Sequence, residues 1–220
     1  MKLPLSEYKT IIFDCDGVIL NSNKVKTQAF YLAALPYGEK AANKLVEYHV
    51  ARGGISRYKK FEWFIETFQS EDKTNRLQEL LDNYAKFVLD GLMKCEIANG
   101  LAELRQKTRK ARWLVASGGD QNELRDVFSS RGIFELFDGG IFGSPDSKDT
   151  ILDREISNGN ILQPALFLGD SKYDHVASKR ADLDFVFVNY WTEFRGWEQY
   201  CDENAIIVRS SLESLSLVKS

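Results

Sequence analysis

The sequence has little of what would mark several common classes of protein. Among its 220 residues there are only 3 cysteines, 4 prolines and 2 histidines. Cys15, Cys95 and Cys201 are odd in number and far apart, which favours free thiols in a reducing compartment over a disulfide framework. His49 and His175 lack partners at metal-ligand spacing, so packing or surface roles are expected.

Charge and hydrophobicity are not concentrated in any segment. The net charge is -3, and no block of about five like charges occurs, which argues against a nucleic-acid partner or a basic membrane anchor. No apolar stretch approaches about 18 residues. The first ten residues lack the apolar region of a signal peptide. We therefore expect a soluble, cytoplasmic protein with no nucleic-acid or membrane partner.

Six short apolar runs predict a sheet. They are continuous rather than alternating, which is typical of parallel strands covered on both faces. From Trp113 onward, helical patterns separate the runs, and this alternation predicts an α/β fold with a Rossmann-like, doubly wound parallel sheet. The runs are Ile11 to Phe13, Trp113 to Ala116, Gly140 to Phe142, Ala165 to Leu168, Phe185 to Val188 and Ala205 to Val208.

The segment that follows the first run carries only helical periodicity. Leu77, Leu80, Leu81, Tyr84 and Val88 form one of its three apolar stripes. We predict a small all-helical domain with its own core over residues 23–92, inserted into an α/β core domain of residues 1–22 and 93–220. Because the insert follows the first strand, it is expected to cover the carboxyl end of that strand as a lid.

The first apolar run ends abruptly in polar residues. Asp14 and Asp16 follow it, and Gly17 lets the backbone turn without a Cβ clash. Open α/β sheets bind ligands at the carboxyl ends of their strands, where paired carboxylates suit a nucleophile beside an acid/base group. The alternative is that the two acids simply end a strand in a turn.

Three later segments add complementary groups. Ser117 and Gly118 follow the second run and offer a hydroxyl and exposed backbone N–H groups, which can cradle an anion. Lys148 opens a helix, while Asp170 and Asp174 follow the run that ends at Leu168. Because so many carboxylates would repel one another, we expect a hard cation among them. Mg²⁺ fits best, since it prefers oxygen ligands and pairs with phosphate.

In this order the motifs resemble those of the haloacid dehalogenase superfamily, in its phosphatase and β-phosphoglucomutase-like branch with a helical cap. The resemblance covers nearly the whole chain. It implies that Asp14 is the nucleophile that becomes an aspartyl phosphate, and that Asp16 is the general acid and base. The corresponding motifs are Asp14 to Val18, Ser117, Lys148, and Gly169-Asp170 with Asp174.

The same resemblance implies how a metal and a phosphoryl group are held. Mg²⁺ would be bound by the Asp14 carboxylate, the Asp16 backbone carbonyl and Asp170, with Asp174 as a ligand or as support for one. The phosphoryl oxygens would be bound by Ser117, the Gly118 N–H and Lys148.

The helical insert carries candidate substrate-binding residues. Its stretch Gly54 to Arg57 resembles the specificity loop of β-phosphoglucomutase-like caps, so Arg57, and less directly Arg52, are expected to bind the leaving group. A solvated loop is the alternative. Lys26 stands where related mutases carry a histidine; it either attracts an anionic substrate or lies on an exposed helix face.

These inferences favour a Mg²⁺-dependent phosphatase acting on a small phosphorylated metabolite, such as a sugar phosphate or a phosphorylated hydroxy acid. One alternative is a phosphomutase, which would keep Asp14 phosphorylated and exclude water. Another is a catalytically silent phosphosugar-binding module, which would be expected to lack Asp14, Asp16 or Lys148. The motifs do not identify the substrate, and both a monomer and a homodimer stay open.

Overall fold

The structure, a computed structural model, describes residues 4–68 and 73–216. Within them, six parallel strands form one sheet in the order β3-β2-β1-β4-β5-β6. This confirms the predicted α/β fold. The strands are β1 (Thr10–Phe13), β2 (Arg112–Asp120), β3 (Ile141–Ser144), β4 (Ala165–Gly169), β5 (Asp184–Val188) and β6 (Ile207–Arg209).

Strand β1 lies at the centre of the sheet. Ile11 is opposite Trp113 of β2 on one side and opposite Leu166 of β4 on the other. The chain therefore builds the sheet outward in both directions from β1, and such a switch point leaves a crevice at the carboxyl ends of the strands. Residues that follow β1, including Asp14, emerge at this crevice.

Both faces of the sheet are covered, which explains the continuous apolar runs. Ile11 and Phe13 belong to one buried cluster, whereas Ile12, between them, belongs to the other. Successive side chains of a strand point to opposite faces, so each strand needs apolar residues at every position.

The helices follow the chain order that the sequence patterns predict, and none in the described residues is long and apolar enough to cross a membrane. Four of them occupy the segment directly after β1, a fifth precedes β2, and the others lie between or after the later strands. They are α1 (Asn23–Ala34), α2 (Glu39–Ala51), α3 (Arg57–Thr67), α4 (Lys73–Lys94), α5 (Leu101–Lys107), α6 (Gln121–Ser130), α7 (Lys148–Ser157), α8 (Lys172–Arg180), α9 (Trp197–Glu203) and α10 (Leu212–Ser216).

Side-chain caps fix where several of these helices begin. Ser147 accepts a hydrogen bond from the Thr150 N–H, which makes Lys148 the first residue of α7. Ser171 and Asp174 form a capping box at the start of α8. Such caps satisfy backbone N–H groups that have no partner within the helix, and here they also set the positions of site residues.

Helices α1 to α4 pack around a cluster of aromatic side chains. The Phe30 ring lies 5.2 Å from that of Phe61 and 4.6 Å from that of Tyr84, measured between centroids. These residues belong to the same buried cluster as Phe13 and Trp113 of the sheet. The helices thus share a core with the sheet rather than having the separate core expected from the sequence. The division at residues 22/23 and 92/93 stays a prediction.

Replacing Phe61 by alanine tests this shared core. Because Phe61 is fully buried, Phe61→Ala should lower the free energy of unfolding by ~3–5 kcal/mol. Unfolding in urea, followed by circular dichroism and by tryptophan fluorescence, should stay a single transition. Phe87→Ala is the control: Phe87 is 45% exposed on α4 and should cost about 0.5 kcal/mol or less. A separate early transition of the helices would contradict a shared core.

Candidate active site

Asp14 is held rigidly at the end of β1. Its backbone N–H donates to the Leu168 carbonyl of β4 at 2.8 Å. Its Oδ1 accepts from the Cys15 N–H at 2.7 Å and lies 2.9 Å from Lys148 Nζ. Its Oδ2 accepts no hydrogen bond from the described residues, and the side chain lines a cavity of about 330 Å³. One carboxylate oxygen is therefore fixed while the other is free to react.

Lys148 is a buried cation between two carboxylates. Its Nζ contacts both Asp14 and Asp174, and the Lys148 side chain is fully buried. Burial lowers the pKa of Lys148, but the two carboxylates outweigh burial and raise it above its ordinary value. The other oxygen of Asp174 accepts from the Ser171 N–H at 3.0 Å and from the Ser171 hydroxyl at 2.6 Å. Lys148 thus stays charged, and both oxygens of Asp174 are engaged.

Three buried carboxylates form a set of donors that fits a hard dication. One oxygen each from Asp14, Asp170 and Asp174 lies within 4.8 Å of the others. Burial and the neighbouring Asp174 raise the pKa of Asp14 to about 7, and burial with Asp14 raises that of Asp170 well above its ordinary value. A divalent cation would relieve this repulsion, and all-oxygen ligands suit Mg²⁺.

Asp170 is held by Asn23, which lines the same cavity. Its Oδ2 accepts a hydrogen bond from Asn23 Nδ2 at 2.7 Å, and Asn23 also donates to the Trp191 carbonyl. Its Oδ1 accepts no hydrogen bond from the described residues. Asn23, at the start of α1, was not singled out from the sequence, because it is 147 residues away from Asp170 along the chain.

Asp16 is paired with Lys26 rather than with the carboxylate cluster. Lys26 Nζ lies 2.5 Å from Asp16 Oδ2, and the Ser22 hydroxyl donates to Asp16 Oδ1 at 2.6 Å. Burial raises the pKa of Asp16, but Lys26 and Ser22 outweigh it and lower that pKa. The structure therefore presents Asp16 as an ionised carboxylate.

The exposed position considered for Lys26 is wrong. Lys26 is buried, because α1 places it on the same face as Ala29 and Phe30, three and four residues further on. Its side chain lines the cavity. A contact between Lys26 and substrate stays a prediction.

The loop before α3 lies against the end of β2. A Cβ atom at Gly118 would be 2.3 Å from the Gly54 carbonyl oxygen, so the two backbones approach closely. Gly118 lines the cavity. Ser117 is fully buried, and its hydroxyl accepts from the Gly119 N–H at 3.0 Å. Phosphoryl binding by Ser117 and Gly118 stays a prediction.

The two arginines predicted to bind substrate both line the cavity, but they differ in burial and in ion pairing. Arg57 is buried and donates to both carboxylate oxygens of Glu123, with Nη1 3.0 Å from Oε2. Arg52 is exposed, and its guanidinium carbon lies 4.2 Å from the Tyr48 ring centroid. Glu123 was missed by sequence reasoning. Substrate contacts by Arg57 and Arg52 stay predictions.

Lys60 and His49 also line the cavity, although sequence reasoning did not assign them to it. Lys60 Nζ lies 2.8 Å from His49 Nδ1. The sequence did contain a signal: Lys60 falls on the same helical face as Phe61 and Phe64, and a lysine on an apolar stripe is unusual. His49 likewise lies four residues after the buried Leu45, on the same face of α2, but its partner Lys60 lies on another helix.

Gly17 shapes the site through its backbone. Its φ is +77°, a conformation that residues with a side chain rarely adopt, as the sequence suggested. A Cβ atom there would also lie 2.0 Å from Asp170 Oδ2 and 2.5 Å from Asn23 Nδ2. Glycine at this position therefore leaves the space that the Asp170 carboxylate occupies.

Comparison with known proteins agrees with this architecture. A model of the haloacid dehalogenase-like hydrolase family matches residues 8–182. No curated protein matches the chain in sequence. Among solved structures, CbbY from Rhodobacter sphaeroides in complex with phosphate is 17% identical, with a TM-score of 0.67 over 94% of this chain and 96% of that chain.

Two further solved structures are similar. A candidate phosphoglycolate phosphatase from Lactobacillus plantarum is 17% identical, with a TM-score of 0.70 over 93% of this chain and 96% of that chain. A hydrolase from Pseudomonas syringae is also 17% identical, with a TM-score of 0.72 over 94% and 95% of the two chains. At these identities the likeness shows a shared fold.

Gly17→Ala tests the space beside Asp170. The matched control is Gly132→Ala, because Gly132 also has positive φ (+69°) but no atom within 4 Å of an added Cβ. Both substitutions should cost about 1–2 kcal/mol of stability from backbone strain. Only Gly17→Ala should also weaken Mg²⁺ binding, measured by calorimetry, because it displaces Asp170. Equal Mg²⁺ affinity in the two variants would show that Asp170 is not displaced or does not bind the metal.

Proposed function

The chain belongs to the haloacid dehalogenase-like hydrolases, as its motifs suggested, and we propose that it is a Mg²⁺-dependent phosphatase of a small phosphorylated metabolite. The observation that carries the proposal is the state of Asp14. One of its oxygens is fixed by Lys148 and the Cys15 N–H, while the other is free beside a cavity. A fixed carboxylate with one free oxygen is suited to nucleophilic attack on phosphorus.

In the proposed first step, Asp14 Oδ2 forms a bond to phosphorus as the bond to the leaving oxygen breaks. Asp16 donates a proton to that leaving oxygen, and an aspartyl phosphate results. In the second step, Asp16 takes a proton from water, which attacks phosphorus and breaks the bond to Asp14. Inorganic phosphate leaves, and both aspartates return to their starting states.

The charge on the phosphoryl oxygens is proposed to be stabilised by fixed groups. Lys148 is already charged and held in place by Asp14 and Asp174, and Ser117 with the Gly118 N–H would add hydrogen-bond donors. Mg²⁺ held by Asp14, the Asp16 backbone carbonyl and Asp170, with Asp174 in support, would supply further positive charge. Phosphoryl transfer needs little beyond such positioning and charge stabilisation.

The pairing of Asp16 with Lys26 affects the protonation state that Asp16 needs in each step. As an ionised carboxylate, Asp16 is ready to accept a proton from water, which is its role in the second step. In the first step it must carry a proton, and Lys26 opposes this. Since burial by itself raises the pKa of Asp16, we propose that substrate binding weakens the contact with Lys26 and that Asp16 then takes up the required proton from the solvent before the first step.

The cavity supports a small substrate and a covering role for the helices. It is lined by Asp14 and Asp170 from the sheet edge and by residues of α2, α3 and α4, including His49 and Tyr84. Its volume of about 330 Å³ is at the lower end of the ~300–1,000 Å³ typical of small-molecule sites. We propose that residues 23–92 act as a cap that excludes macromolecular substrates.

The three cysteines are unpaired, which supports our proposal that the enzyme works in the cytoplasm. The sequence-based alternatives of a monomer and a homodimer both stay open.

Release of inorganic phosphate tests the proposal. We expect the purified protein to hydrolyse members of a panel of sugar phosphates, phosphorylated hydroxy acids and nucleotides, and chelation of Mg²⁺ to abolish the release. Asp14→Asn should reduce turnover to the background rate because it removes the nucleophile. Asp90→Asn is the matched control, since Asp90 is an exposed aspartate on α4 and its replacement should leave turnover unchanged.

Other outcomes identify the alternatives. A phosphorylated Asp14 without phosphate release would favour a phosphomutase. Tight binding of a phosphosugar without phosphorylation of Asp14 would favour a binding module. Release that survives in Asp14→Asn would overturn the assignment of the nucleophile.

A further inference from the structure

Three buried cationic side chains line the cavity, and within the described ranges two of them are paired with a carboxylate. Lys26 is paired with Asp16, and Arg57 with Glu123. Lys60 is 2% exposed, and no carboxylate oxygen of the described residues lies within ion-pair distance of its Nζ. Burying an ammonium group without a counter-charge is costly, so the position of Lys60 calls for an explanation.

The surroundings of Lys60 do not neutralise it. Its Nζ lies 2.8 Å from His49 Nδ1 and 5.4 Å from the Phe30 ring centroid. Burial, together with the neighbouring Lys60 and Lys26 charges, lowers the pKa of His49 well below its ordinary value, so the imidazole is neutral. Burial and repulsion from Lys26 lower the pKa of Lys60 to about 7. Asp16 and Asp14 raise the pKa of Lys60 but do not offset this lowering.

We propose that Lys60 binds a carboxylate on the leaving group of the substrate, so that the substrate is a phosphorylated hydroxy acid. This inference rests on the proposed phosphatase function, because Lys60 lines the same cavity as Asp14. An ammonium group has three donors, and His49 accepts only one, which leaves donors for an incoming anion.

The charge balance of the buried side chains favours a carboxylate over other groups; Arg52 and Lys172 also line the cavity, but both are exposed to solvent. Once protonated, Lys60 supplies one positive charge and His49 supplies none, which matches a carboxylate with its single negative charge. A second phosphate carries more charge than Lys60 can neutralise, and sugar hydroxyls carry none. Arg57 does not change the balance, because Glu123 engages it from both of its carboxylate oxygens.

Two phosphate esters of equal carbon length measure the effect of the carboxylate alone. Phosphoglycolate and 2-hydroxyethyl phosphate are both two-carbon phosphomonoesters, and they differ in having a carboxylate or a hydroxymethyl group. Ethylene glycol bisphosphate adds a second phosphate in the same place. The variant is Lys60→Met, which keeps a long apolar side chain in the buried site. Lys59→Met is its control, because Lys59 is the preceding residue on α3 and is exposed.

We expect the wild-type enzyme to favour phosphoglycolate over hydroxyethyl phosphate by about tenfold or more in kcat/KM, the usual size of a charge-assisted hydrogen bond. Lys60→Met should bring that ratio close to one, while Lys59→Met should leave it unchanged. Equal kcat/KM values for the two esters in the wild type, an unchanged ratio in Lys60→Met, or a preference for the bisphosphate would each overturn the proposal.

Binding measurements separate this inference from the proposed function. Calorimetric titration of the Asp14→Asn protein, which does not consume the esters, should show the same preference for phosphoglycolate, and adding Lys60→Met should remove it. If wild-type protein releases no phosphate but this binding preference is found, the phosphatase proposal fails and the carboxylate site stands. If phosphate is released without any binding preference, the carboxylate site fails and the phosphatase stands.

A measurement on the wild-type side chain does not depend on whether the Lys60→Met variant folds. In wild-type protein carrying ¹³C-labelled lysine, with Mg²⁺ chelated so that the ester is not consumed, phosphoglycolate should shift the Lys60 side-chain resonance and raise the pKa at which it titrates. Hydroxyethyl phosphate should shift it less. A Lys60 resonance that responds equally to both esters would contradict a carboxylate contact.

Discussion

The burial of like charges at one edge of the sheet is the constraint on which the site depends. Parallel pairing of β1 with β4 brings Phe13 opposite Leu168, so the residues that follow the two strands are forced together. Asp14, Asp170 and Asp174 therefore meet where little water can screen them. Lys148 makes this arrangement tolerable, because a buried charge is stable when an opposite charge and hydrogen bonds accompany it.

The buried charged side chains that line the cavity are divided by sign between its two parts. The sheet edge and its following helices contribute the carboxylates, including Asp14 and Asp170. The four helices after β1 contribute Lys26, Arg57 and Lys60. The net charge of the whole chain, -3, conceals this separation. The ion pair between Lys26 and Asp16 joins α1 to the residues that follow β1.

The fold could be predicted because its cause is visible in the sequence. Continuous apolar runs arise when both faces of a strand are buried, and all six predicted runs correspond to strands. The last predicted run begins before its strand. Ala205 has a φ of +51°, which is not a strand conformation, and β6 begins at Ile207. The meeting of Asp14, Lys148, Asp170 and Asp174 could also be anticipated, since parallel strands end at the same edge.

The pairing of charges within the site could not be predicted in the same way. Arg57 and Glu123 are 66 residues apart, and Lys60 and His49 lie on different helices. Which cation meets which anion depends on how helices pack, and hydrophobic periodicity does not report that. The exception is Lys60, whose position on an apolar stripe was visible.

The contact between Gly118 and Gly54 has a consequence for engineering. At this point one wall of the cavity consists of backbone against backbone, with a Ser171 hydroxyl 3.0 Å from where a Cβ of Gly54 would lie. Trimming side chains is the usual way to widen an enzyme for larger substrates, and here there is none to trim. Laboratory evolution toward larger substrates would have to change the length of the loop between α2 and α3 instead.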